Sequence, residues 1–358
     1  MLRQKIALTL TLCAAMPAAL LQADSGLQEG TPDIKHAGPL AFAPQGVLLI
    51  GDTLNAAIYA IDTGDDKAIS GERSVNIEGV NEKIAAMMGS NTEETVINDM
   101  AVNPLSGNLY LSVARGRGPD AMPVVFKADS KGVLSELSLK KVKFSKAAIA
   151  NAPESQEGKR NPRLSVITDM QYTNGQVIVA GLSNEEFASK LRVLKYPFDG
   201  TGKSTSVEMY HGAHGKMETA SPVRTFTTYE DTVLAAYTCT PLVTIPVSEL
   251  KEPKIKGKTI AELGNMNNPL DMIVYKKGNQ DFLLMANSAR GVMKLKLSKS
   301  EIDATKTIET RINGTAGLPF ESVSDLKDVV QLDKLTDSRA VLLVGAKGRQ
   351  DIRTIDLP

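Results

Sequence analysis

The chain reads as an all-β protein, a six-bladed β-propeller formed by one domain. Three observations carry that reading. A degenerate plan recurs six times, in segments 38–62, 97–116, 167–183, 221–247, 268–297 and 324–357. Each has a short apolar strand, a polar turn, a second apolar strand, a polar loop and, where it can be read, a third strand. Such self-similarity at a spacing of roughly 50–70 residues marks an array of blades. The runs Leu109-Tyr110-Leu111 and Val177-Ile178-Val179 are apolar on both sides, as expected of strands packed between neighbouring sheets. The corners Gln45-Gly46 and Ser106-Gly107-Asn108 carry residues that tolerate positive φ, which suits tight turns between antiparallel strands. The 116–165 and 184–221 stretches are long enough to hide strands, so a seventh blade stays open.

The elements follow in order. Arg3 and Lys5 precede an apolar stretch from Ile6 to Leu21, and small residues surround Ala18, Ala19 and Ala23. This predicts a cleaved signal peptide over 1–23 and a secreted or periplasmic domain over 24–358. The stretch is shorter than the ~20 residues that span a bilayer, and Pro17 interrupts it, so no membrane span is expected after cleavage. Removal takes Cys13 away and leaves Cys239 alone, so the fold must hold without disulfides. In the first unit Leu40–Ala43, Val47–Asp52 and 57–61 are the inner three strands. Residues 81–88 and 146–150 predict short helices, and 151–163 an exposed loop. The last unit offers strands at 326–332, 340–344 and 352–357. Its outer strand is expected from residues 25–30, which would tie both termini into one sheet and remove exposed edges.

Composition narrows the function. The 41 basic and 41 acidic side chains cancel, which argues against a nucleic-acid surface. Tryptophan is absent and aromatics make up 4%, so a platform stacking sugars or bases is disfavoured. Gly202-Lys203-Ser204 lacks the opening glycine of a phosphate loop, since Pro197 stands there. No dinucleotide fingerprint, G-x-S-x-G elbow or H-E-x-x-H appears.

Antiparallel alternation puts the second-to-third-strand loops and the blade-to-blade loops on one face, here called the top. Aligning the inner strands brings Ala41, Asp99, Asp169, Arg224, Asp271 and Asp325 to one position. Converging carboxylates would raise one another's pKa unless a cation compensated. Two readings stand side by side. The aspartates are latches that accept backbone N–H groups, or Asp99, Asp169, Asp271 and Asp325 hold Ca²⁺ or another divalent cation, with Asn98 and Asn268 nearby. A second group is His211, His214 and Cys239, with His36 or Met217 within reach, suited to copper or zinc. A third is Arg115, Arg117, Arg290 and Arg349, with Lys347, in glycine-rich loops. With Arg224, these could grip an anionic ligand.

The segments GPLAFAPQGVLLIGDTLNAAIYAID and INDMAVNPLSGNLYLS resemble the strand pairs of NHL-type and gluconolactonase-like propellers. The resemblance implies a divalent cation held in the central channel by Glu, Asn and Asp. Ala41 stands where the first glutamate would fall. Three functions follow as expectations: a propeller that binds a small molecule or protein on its top face without established catalysis, a cation-dependent lactonase or esterase, or a copper-binding or redox protein.

Overall fold

A computed structural model describes residues 26–68, 71, 73–118, 120–156, 161–345 and 348–358. The expected signal segment, Cys13 and Lys347 lie outside the described residues, as does part of the 151–163 loop. Six antiparallel sheets stand in a ring, so the six-bladed reading holds. The inner strands are Leu40–Ala43, Thr95–Val102, Asp169–Thr173, Val223–Tyr229, Pro269–Lys277 and Val329–Lys334, in blades 1 to 6. Each pairs with a second strand that is almost wholly buried, such as Val47–Asp52 and Thr232–Tyr237. The side chains between blades form the core. Leu48, Leu49, Ile50 and Leu111 are all fully enclosed, and burial at roughly 25 cal/mol per Å² of apolar surface is what holds the ring.

The ring is not in chain order. The inner strand of blade 1 packs against those of blades 2 and 3, and that of blade 2 against blades 1 and 6. Blade 1 therefore sits between blades 2 and 3. Its outer strand is Val142–Ala148, which arrives from beyond blade 2 and pairs with Ala57–Asp62. Gln28–Gly30 then adds to the edge of that strand. Two expectations change here. Residues 146–150 lie mostly in a strand and not a helix, because the apolar run KAAIA pairs across to Ala57 and Ile58. The N-terminal strand closes blade 1, not the last blade. Blade 6 has three strands of its own, and its edge is met by the segment around Ile77. Ile77 and Ile352 exchange both backbone hydrogen bonds, at 2.9 and 2.8 Å. The predicted helix near 81–88 is present as Val80–Met87. It leads from that edge into blade 2.

Candidate metal centre and the central channel

The channel runs between the inner strands. One cavity of about 490 Å³ and a smaller one of about 240 Å³ share the walls Asp99, Asp169 and Asp271. These three carboxylates form the neck. Asp333 lines only the larger cavity and so lies deeper. Asp325 is exposed, on the turn before Val329–Lys334, and takes no part in the ring. The inner strand of blade 6 begins three residues later than its apolar pattern suggested. Asp333, eight residues after Asp325, is the blade 6 aspartate that lines the channel.

The four channel aspartates repeat one device. The Oδ2 atoms of Asp99, Asp169, Asp271 and Asp333 accept the N–H of Leu40, Phe226, Leu332 and Val102, at 2.6, 2.8, 2.9 and 2.7 Å. Each acceptor thus reaches the inner strand of the adjacent blade. Oδ1 of Asp169, Asp271 and Asp333 also accepts the next N–H of its own chain. Enclosure by the blades pushes these carboxyls up, to about 8 for Asp99 and about 6 for Asp169 and Asp333. Asp271 rises too, through burial first and then the facing Asp99. Protonation relieves the crowding, so no cation is required to explain it. Asn98 is engaged with the Ala37 carbonyl. Asn268 is exposed, and its own N–H donates to Ser288. Arg224 is exposed at the mouth of the smaller cavity.

The arginines do not converge. Arg115 and Arg117 donate to the carbonyls of Gly89 and Glu93. Arg290 donates to the Asn265 carbonyl. Arg349 pairs with Glu78 and Asp351 at 2.7 and 3.1 Å. They belong to blades 2, 5 and 6 and tie top-face loops down.

The histidine–cysteine group does converge. Donor atoms of His211, His214 and Cys239 lie within 4.8 Å of one another. Among the described residues this is the only set of three or more His, Cys, Asp or Glu side chains so placed. His211 ends the outer strand Gly202–His211 of blade 3. The chain then makes one turn, with the Gly215 N–H donating to the His211 carbonyl at 2.7 Å. Gly215 closes that turn at φ 69°, a conformation glycine adopts without penalty. The turn stacks the two imidazoles, with centroids 3.8 Å apart. Glu262, from the outer strand of blade 4, accepts the Gly212 N–H and anchors the turn at 2.5 Å. Cys239 sits between the second and third strands of blade 4, and its N–H donates to the Asn267 carbonyl at 2.7 Å. Cys239 and Thr240 both hold left-handed φ, 64° and 58°, at a cost of roughly 1–2 kcal/mol each.

Besides Asp333 in the channel, sequence reasoning missed Glu218 at this site. It faces Nδ1 of His211 at 3.0 Å and Nδ1 of His214 at 2.6 Å, and accepts the Ser221 hydroxyl at 2.6 Å. Burial opposes its charge, but these hydrogen bonds outweigh burial and hold it at about 2. Burial also lowers the His211 pKa, so the ring is neutral and donates from Nδ1. The lone pair then lies on Nε2. That atom is buried and has no hydrogen-bond partner, in a side chain 1% exposed. A carboxylate behind an imidazole is the usual support of a metal-binding histidine. The spacing His-x-x-His-x-x-x-Glu was the available signal.

His36 and Met217 do not join. His36 Nδ1 lies 3.1 Å from the Thr53 hydroxyl in blade 1, because that loop is organised by Asp52, which accepts the N–H groups of Lys35 and His36. Met217 pairs with Tyr210 while Lys216 pairs with His211. Alternation therefore places Met217 on the face opposite His211 and Glu218.

No family model and no curated protein matches the chain. Solved structures do. A chain of the mitotic checkpoint complex is similar at 7% identity and a TM-score of 0.35, and the match covers 98% of this chain and 100% of that one. An oxidoreductase from Thermus thermophilus, assigned provisionally as a glucose dehydrogenase, is similar at 11% identity and a TM-score of 0.37. That match covers 92% of this chain and 99% of the other. Kluyveromyces lactis Hsv2 is similar at 11% identity and a TM-score of 0.30, with 86% and 90% covered. Likeness at these levels assigns no activity. By its own six sheets the chain is a six-bladed β-propeller, and its top face gathers a cysteine beside two histidines that share one carboxylate.

Proposed function

We propose that this is an exported propeller that binds a transition-metal ion on its top face through His211, His214 and Cys239. One observation carries the reading: two imidazoles share Glu218 through Nδ1, and the Nε2 of His211 is left buried and unpartnered beside a cysteine. An unpaired buried acceptor costs about 1–3 kcal/mol, and a metal ion would satisfy it. Donors on one ion lie within roughly 4 Å of each other, so the cluster closes by a small side-chain movement. His214, half-exposed, has the freedom to make it. Two neutral nitrogens and a thiolate suit borderline and soft ions.

The channel aspartates serve a different end. Their oxygens are taken by backbone N–H groups, which is the work of latches.

Titration with Co²⁺, whose thiolate complexes absorb visibly, tests the site. A one-to-one thiolate band, lost in Cys239→Ser, together with protection of Cys239 from alkylation, is the expected result. No band and no protection with Co²⁺, Zn²⁺ or copper would end this reading.

A further inference from the structure

Resting on the metal site just proposed, we infer that its ion is monovalent copper and that the thioether of Met266 is the fourth ligand. The cluster supplies three donors, and among the described residues no other histidine, cysteine or carboxylate joins them. Glu218 is committed to both imidazoles; Glu262 gives one oxygen to the Gly212 N–H and keeps the other buried and unpartnered, outside the set of converging donor atoms. A structural zinc site wants four such donors. Soft thiolate and thioether ligands select monovalent copper.

Met266 stands where such a ligand is needed. It precedes Asn267, whose carbonyl accepts the Cys239 N–H at 2.7 Å, so its backbone runs beside the cysteine. A second tie holds the two loops together: the Thr240 hydroxyl donates to the Gly264 carbonyl at 2.6 Å. Met266 is 86% exposed, the most exposed large apolar side chain among the described residues. It also holds a left-handed φ of 55°. A flexible thioether held in water on a loop tied to the Cys239 backbone has no packing role to explain it. Its unbranched side chain can swing to an ion at Cys239 without moving the fold.

The same face carries two further exposed methionines. Met87 lies on the helix leading into blade 2, and Met122 follows the loop after the second strand of that blade. Ala-sized or charged residues would serve solubility better at such positions.

The test uses the full chain, reduced and free of metal, under anaerobic conditions. A chromophoric monovalent-copper chelator competes for the ion, and X-ray absorption counts the sulfur ligands. The expected result is one copper per chain with two sulfur ligands. Met266→Leu should lower copper affinity about tenfold and remove one sulfur, while Co²⁺ binding is unchanged. Because Met266 is exposed, that variant folds as the parent does, which circular dichroism verifies. Equal copper affinity in Met266→Leu, with one sulfur in both proteins, would overturn the ligand assignment. Displacement of copper by stoichiometric Zn²⁺ would overturn the copper assignment and leave the metal site standing. Absence of binding by copper, Zn²⁺ and Co²⁺ alike would instead remove the site itself.

Discussion

The channel neck and the blade 3–blade 4 loops both gather groups that can bind metals, yet they are opposites. At the neck, Asp99, Asp169 and Asp271 spend their oxygens on N–H groups of adjacent blades. At the loops, Glu218 spends its oxygens on two imidazoles, and in doing so frees their other nitrogens. A group is a ligand only when its lone pair has no better use nearby. Residue type does not reveal that; the partner does.

Substitutions can break this contrast. Asp271→Ala should remove the acceptor of the Leu332 and Met272 N–H groups. Stability in urea should fall by about 2–4 kcal/mol, with metal affinity unchanged. Asp271→Asn keeps one acceptor oxygen and should lose much less.

Glu218→Gln reverses the pattern. An amide at this position has a single acceptor oxygen and cannot serve both rings as the carboxylate does. Metal affinity should drop about 10–100-fold, measured by competition, with a smaller change in melting temperature. Acid should release the ion as well, because both imidazoles and the thiol must be deprotonated to bind. Glu218 itself, held at about 2, stays ionised through that range.

Asp99 sharpens the contrast through pH. Its folded pKa is about 8, well above the roughly 3.9 of an unfolded chain. Between those values the native state holds a proton that the unfolded state lacks. The contribution to stability is therefore full below about pH 4 and is lost as pH rises through about 8. Asp99→Asn should flatten that decline, by about 1 kcal/mol or more between roughly pH 5 and 9, read from urea midpoints. The smallest effect belongs to Met217→Leu. That side chain is on the far face of its strand, and metal affinity should not move.

Much of this was legible before the structure. The first blade's strands follow from apolar runs and a glycine corner, and the observed Leu40–Ala43 and Val47–Asp52 match them. The meeting of His211, His214 and Cys239 was legible too, because antiparallel alternation decides which loops share a face. What local pattern does not encode is partnership between distant segments. Residues 146–150 read as a short helix until the hydrogen bonds of Val142–Ala148 to blade 1 are seen. Asp333 was hidden because the mixed run Leu326 to Leu332, apolar at 326, 329, 330 and 332, permits more than one start for the strand. Blade order leaves no trace in any single repeat.

That blade order has a consequence for how the chain is made. Leaving the ribosome, the first three strands of blade 1 wait roughly 80 residues, several seconds of synthesis, for Val142–Ala148. The segment around Asn76 waits longer. Its Oδ1 accepts the N–H of Thr354, which lies 278 residues further on. Neither seam can close on its own early neighbourhood. The newborn protein therefore carries two unfinished edges: one waits for the far side of blade 2, and the other for the outer strand of blade 6, whose arrival locks the ring shut.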